Sequence, residues 1–96
     1  MVIEIAEFTA VPGHEEALAQ GLSAAMAHFR ASPACLGITL RRCLEDPAIF
    51  LYEVQWASLT AHVEGFRKSP LFASYRAHIT GHFVEPVRMR HFSTME

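Results

Sequence analysis

Apolar and polar residues alternate along four segments of the chain and follow a helical period between them. The alternation predicts strands over residues 2–10, 35–45, 48–56 and 83–92. A stripe of apolar residues at helical spacing predicts a long helix over residues 14–31, which follows the turn formed by Pro12 and Gly13. Pro86 lies inside the last strand and predicts that this strand is at an edge or starts irregularly.

The segment between the third and fourth strands predicts two short helices. Ser58 is placed to cap the first, which ends at residue 66 or 67. Ser69 is placed to cap the second, with Pro70 at its first position and Gly81 just past its end. The resulting order, β-α-β-β-α-β with a divided second helix, predicts a single α+β domain over residues 1–96 with a ferredoxin-like antiparallel sheet.

Both faces of the predicted sheet carry apolar side chains. In the third strand, Phe50, Tyr52 and Val54 share one face, while Ile49 and Leu51 share the other. Helices can cover only one face, and 51% of the residues are hydrophobic, which is high for a small domain. We therefore expect a homodimer that buries the face opposite the helices.

Charge and cysteine content narrow the functional classes. A net charge of −2 gives no basic surface for nucleic acid or an anionic membrane. The apolar runs are shorter than the roughly 20 residues that span a bilayer, and the first residues form a strand instead of a secretion signal. Cys35 and Cys43 lie too far apart along one predicted strand to pair. These features predict a cytoplasmic protein with free thiols.

The stretch over residues 55–79 resembles the antibiotic biosynthesis monooxygenase family. Trp56 closes a strand, Ser58 opens a short helix, and a Ser-Pro pair opens a helix that carries an aromatic pair and a histidine. The resemblance implies a dimeric α/β barrel and a monooxygenase without a cofactor, acting on a small phenolic, quinol or polyketide-like aromatic molecule. The alternative is a non-catalytic dimeric module that binds a small apolar ligand.

Tyr75 and His78 are the predicted catalytic residues. They are three positions apart and share one side of a helix with Phe72, a predicted substrate-binding residue. A histidine that titrates near neutral pH is a natural general base for a phenol or a carbon acid. The competing interpretation, slightly favoured, is a surface histidine that the negative end of the helix dipole stabilises.

Trp56, His62 and Glu4 complete the predicted substrate-binding set. Trp56 either walls a pocket or, as the favoured interpretation, is a packing anchor whose indole N–H finds a carbonyl. His62 is either solvated or points to the pocket rim. An inward-facing Glu4 would have a raised pKa and could act as a base.

Haem and metal sites are disfavoured by the sequence. The resemblance implies that haem-degrading relatives use an asparagine, a tryptophan and a histidine, at positions that hold Ala6, Gly65 or Phe66, and Arg76 in this chain. His78 and His82 have the i, i+4 spacing of a helical metal site, but Gly81 interrupts the predicted helix and no third ligand accompanies them. We therefore predict neither cofactor nor metal.

Overall fold

The structure is a computed structural model that describes residues 1–95. Its helical elements are two α-helices and a π-helix. The elements in chain order are β1 (Val2–Ala10), α1 (Glu15–Arg30), β2 (Cys35–Arg42), β3 (Ile49–Trp56), the π-helix (Ala61–Phe66), α2 (Pro70–Ala77) and β4 (Phe83–Phe92).

The four strands form one antiparallel sheet in the order β2-β3-β1-β4. This is the ferredoxin-like arrangement, so the predicted fold class is confirmed. No helix within residues 1–95 has the length and apolar character that crossing a membrane requires.

Two predicted element ends are wrong by a few residues. β2 ends at Arg42 instead of residue 45, because the chain has already begun its turn into β3. In that turn the Asp46 carboxylate accepts a hydrogen bond from the Ala48 N–H over 3.0 Å. Likewise α2 ends at Ala77, and residues 78–81 form a turn that ends at Gly81, whose φ is 85°.

The two predicted serine caps differ in the structure. Ser58 does cap its helix, since its hydroxyl accepts a hydrogen bond from the Ala61 N–H over 3.0 Å. Ser69 occupies the N-cap position of α2 with an extended backbone, but its hydroxyl donates back to the Phe66 carbonyl over 2.8 Å. Pro70 at the first position supplies the helical φ of α2 without needing a side-chain cap.

β4 is an edge strand, as Pro86 predicts, and it is also irregular. Glu7 pairs with Arg88 and Thr9 pairs with Val84, so β4 has extra residues opposite Phe8 of β1. The extra segment bulges out of the ladder around Pro86. The bulge is important for the site, because its residues form part of the cavity wall.

The core lies between the sheet and the helices. The row of Phe50, Tyr52, Val54 and Trp56 on β3 is buried there, with exposed fractions of 0–2%. A Cβ at Gly21 of α1 would collide with the backbone carbonyl of His78, so glycine at this position lets the chain after α2 pack directly on α1. On the other face of the sheet, half-buried apolar side chains have no helix over them: Ile3, Ile5, Ile49 and Leu51.

Candidate functional site

A cavity of about 330 Å³ lies between the sheet and the two helices that follow β3. Buried residues form its floor, and charged or exposed residues form its rim. Its volume is within the range of small-molecule sites. The floor is lined by Glu4, Ala6, Phe29, His62, Phe66 and Tyr75, and the rest of the lining is Arg67, Phe72, Arg76, Glu85, Pro86, Val87 and Met89.

Glu4 is a buried carboxyl group in this floor. It lies on the inward row of β1 with Ala6 and Phe8, and it is 5% exposed. The indole Nε1 of Trp56 donates a hydrogen bond to Glu4 Oε1 over 2.8 Å. Trp56 is completely buried and does not line the cavity, so it orients the carboxyl group from below. The indole N–H thus donates to the Glu4 carboxyl group instead of the predicted carbonyl, and Trp56 packs beneath the cavity instead of forming its wall.

His62 and His91 extend the polar contacts from Glu4. His62 Nε2 lies 3.4 Å from Glu4 Oε1, and His62 Nδ1 lies 2.7 Å from Nε2 of His91 on β4. The imidazole of His62 stacks on Trp56 with ring centroids 4.7 Å apart and an interplanar angle of 11°. His62 is only 3% exposed, so of its two predicted environments the structure supports the one at the pocket.

Burial moves the pKa values of Glu4 and His62 in opposite directions. Desolvation raises the pKa of Glu4 from 4.5 to about 7, and the hydrogen bond from Trp56 and the charge of Arg67 oppose this rise. Desolvation lowers the pKa of His62 from 6.5 to about 4, helped by His91 and Arg67. Near neutral pH, His62 is therefore neutral while Glu4 changes its charge. The contact between them is a polar contact of a neutral imidazole, not an ion pair.

Aromatic rings form the walls above this carboxyl group. Phe29 stacks on Phe66 with centroids 4.6 Å apart, and Phe72 meets Tyr75 edge to face at 5.5 Å. Burial raises the pKa of the Tyr75 phenol above its usual range, so this hydroxyl is neutral at physiological pH. The structure thus brings Tyr75 and Phe72 to the cavity with Glu4 and His62.

Two arginines reach the cavity, and their surroundings differ. Arg76 lies 3.5 Å from Glu85 and above the rings of Phe72 and Phe83, at 5.8 Å and 5.0 Å from the ring centroids. Arg67 follows the π-helix and lies 6.0 Å from the centroid of Phe72. Within residues 1–95, no acidic side chain lies within ion-pair distance of Arg67.

His78 does not line the cavity, which corrects the expectation that it shares the pocket with Tyr75 and Phe72. It is exposed, and its Nε2 lies 2.9 Å from Nε2 of His28 on α1. The physical reason is the end of α2 at Ala77 together with the helical period. Ile79 lies four positions after Tyr75, so the helical period directs it to the same buried side, and it is fully buried.

Sequence reasoning missed His91 and Arg67. His91 continues the inward row of β4 after Val87 and Met89, so a polar residue in an apolar alternating row was the available signal. Arg67 has no comparable signal, because a charged residue at the end of a short helix is ordinary. Its nearness to the cavity depends on how the π-helix packs.

The positions compared with haem-degrading relatives also lie at the cavity. Ala6, Phe66 and Arg76 all contribute to its lining. Within residues 1–95, no group of three or more histidine, cysteine or acidic side chains is placed to hold a metal ion. Glu4 and His91 approach opposite nitrogens of His62, so these three groups do not converge on one point.

Comparison with known proteins agrees with the fold. The family model described as antibiotic biosynthesis monooxygenase matches residues 1–78, while no curated protein sequence matches this chain significantly. A candidate antibiotic biosynthesis monooxygenase from Bordetella bronchiseptica is 28% identical, with a TM-score of 0.91 and coverage of 99% of this chain and 97% of that one. A protein from Pseudomonas aeruginosa is 27% identical, with a TM-score of 0.83 and coverage of 99% and 94%.

Proposed function

Because this chain belongs to the antibiotic biosynthesis monooxygenase family, we propose that it is a cofactor-independent monooxygenase of a small phenolic, quinol or anthrone-like aromatic molecule. The observation that carries the proposal is a buried carboxyl group, Glu4, on the floor of a cavity with aromatic walls. A reaction of this type needs a base, a cavity that excludes water, and a fixed orientation of the ring.

Glu4 is the proposed general base. Its pKa of about 7 makes it half ionised at neutral pH, where a base combines availability with proton affinity. Trp56 holds one carboxyl oxygen through its N–H. Tyr75 and Phe72 hold the ring of the substrate, and the neutral imidazole of His62 supplies a polar contact beside the carboxyl group. This assignment replaces His78, whose position on the surface does not favour the role.

The proposed reaction balances without a further reductant when the substrate carries an activated methylene group. Glu4 removes one proton from this carbon, and the carbanion passes one electron to oxygen. The resulting radicals combine to form a C–O bond. The proton on Glu4 then moves to the outer peroxide oxygen. Loss of the second proton from the carbon forms the carbonyl group and breaks the O–O bond, which releases hydroxide. The hydroxide takes up this proton, so the products are a carbonyl group and one water molecule.

We also propose a homodimer that buries the uncovered sheet face. Ile5 and Leu51 represent an apolar row on this face that is only half-buried in one protomer. The Arg41–Glu53 ion pair, with N and O atoms 3.2 Å apart, lies on the same face and adds polar contacts beside the apolar row. A second sheet packed against this face would remove the apolar row from water.

Oxygen consumption with anthrone as the substrate tests the enzymatic proposal. We expect enzyme-dependent uptake that rises with pH through about 7, as Glu4 ionises. Glu4→Gln should lower turnover by about 100-fold, since it removes a general base. His78→Ala is the matched control and should leave turnover nearly unchanged. Saturable binding of anthrone without any uptake would instead support the non-catalytic ligand-binding module.

A further inference from the structure

The positive charge at the rim of the cavity indicates which aromatic molecules would bind. Besides His62 and Tyr75, which are neutral at pH 7, four ionisable side chains line the cavity: Glu4 on the floor, and Arg67, Arg76 and Glu85 around the rim. Glu85 lies 3.5 Å from Arg76 and offsets its charge. Arg67 therefore contributes a positive charge that no acidic side chain within residues 1–95 balances at ion-pair distance.

Arg67 acts on the interior of the cavity as well as on its rim. Its positive charge opposes the rise in the pKa values of Glu4 and Tyr75 and adds to the lowering of the pKa values of His62 and His91, although Arg67 is exposed. These four residues lie on β1, the π-helix, α2 and β4, so Arg67 faces the region where all these elements meet. An anionic group bound beside Arg67 would be attracted by the same charge.

We propose that the cavity selects an aromatic ligand that carries one carboxylate, with Arg67 binding the carboxylate at the rim and the ring lying against Phe72 and Tyr75. This inference rests on the proposed use of the cavity for a flat aromatic molecule. Arg67 lies over the face of Phe72, with 6.0 Å between the guanidinium carbon and the ring centroid, so a ring that touches Phe72 places a substituent near the guanidinium.

The charge count distinguishes a carboxylate from a doubly charged group. A phosphate monoester carries nearly two negative charges at neutral pH and is usually held by several cations. Here only the charge of Arg67 is unbalanced on the rim, because Arg76 already faces Glu85. A planar carboxylate can accept two parallel hydrogen bonds from one guanidinium, which matches this single group.

The carboxylate would also lie away from the base. Glu4 is on the buried floor and Arg67 is on the exposed rim, so a ligand that spans the cavity keeps its carboxylate apart from the ionised Glu4. When Glu4 takes a proton from the ligand, one negative charge moves from the carboxylate of Glu4 to the ring. Arg67 would favour this ring anion as well as the bound carboxylate.

Isothermal titration calorimetry with two matched probes tests this inference. The probes are 1-naphthol, which is neutral at pH 7, and 5-hydroxy-2-naphthoate, which adds a carboxylate to the ring that does not carry the hydroxyl. We expect the naphthoate to bind about tenfold more tightly, a moderate effect because the arginine is exposed. The preference should shrink as ionic strength rises. Arg67→Gln should abolish it while leaving the affinity for 1-naphthol unchanged.

The controls separate Arg67 from its neighbours and separate this inference from the enzymatic proposal. Lys68→Gln removes an adjacent charge that is paired with Glu64 at 2.6 Å and does not line the cavity, so it should keep the preference. Equal affinity for the two probes, or a preference that survives Arg67→Gln, would overturn the role of Arg67. Failure of both probes to bind would refute the proposed carboxylate-bearing ligand of this cavity. The enzymatic proposal is decided separately, by oxygen uptake with anthrone.

Discussion

The indole Nε1 of Trp56 and the carboxyl Oε1 of Glu4 are joined by a 2.8 Å hydrogen bond, although the two residues are 52 positions apart in the chain. The bond favours the ionised form of the carboxyl group and so opposes the effect of burial on its pKa. Pairing of β1 with β3 brings the two side chains to the same side of the sheet, since Glu4 is opposite Val54 and Trp56 is two residues further along β3.

Trp56→Phe should raise the pKa of Glu4 by about one unit above its value near 7, because it removes a donor to the charged form. Carbon-13 NMR of labelled glutamate carboxyl groups measures this shift directly. Tyr52→Phe is a matched control in the same buried row, because its hydroxyl donates to the Leu22 carbonyl instead. An unchanged Glu4 titration in Trp56→Phe would contradict the importance of the indole hydrogen bond.

Glu4→Gln should change how stability depends on pH. In the wild-type protein, the raised pKa of Glu4 contributes stability that is present below pH 4.5 and is lost as pH rises through about 7. The difference in unfolding free energy, Glu4→Gln minus wild type, should therefore increase by about 3 kcal/mol as pH rises from about 4 to about 8. Urea unfolding followed by circular dichroism measures this difference.

The comparison with Glu4→Gln isolates one group because the other titrating residues are common to both proteins. His62 acts in the opposite direction. Its pKa is lowered to about 4, so its contribution is present above pH 6.5 and is lost as pH falls through 4. A constant difference in unfolding free energy across this range would show that Glu4 titrates near its ordinary value.

Leu51→Lys should shift the protein from dimer to monomer at micromolar concentration. Its side chain is on the uncovered sheet face, where a lysine would bury a charge in the proposed interface. Leu59→Lys is the matched control, because Leu59 is 50% exposed at the start of the helical segment after β3. Sedimentation velocity distinguishes the species, and a wild-type protein that is monomeric at this concentration would refute the homodimer.

Haem should not bind tightly. The position that corresponds to the ligand of haem-degrading relatives holds Arg76, whose protonated guanidinium has no lone pair to offer iron. His78 lies outside the cavity beside His28. A titration followed by the Soret band should show no shift at equal concentrations of haem and protein. A shift that disappears in His78→Ala would identify that histidine as a ligand and contradict this expectation.

Local signals predicted most of the fold. Alternating rows predicted all four strands, and Ser58 and Pro86 predicted a helix start and an edge strand. These succeed because capping and strand propensity depend on residues close together in the chain. The polar residue in the inward row of β1 also indicated Glu4 as a candidate, and its raised pKa follows from burial alone.

The site itself required the tertiary structure. His62 meets Glu4 and His91 only because the fold brings the π-helix close to β1 and β4, and no spacing along the chain encodes that approach. The prediction that His78 faces the cavity was wrong. The helical period indicates which side of a helix a residue occupies, but it does not indicate the residue at which packing ends the helix. The sequence by itself determined which rows are apolar, whereas the docking of elements decided which polar side chains share the cavity, since those contacts join residues far apart in the chain.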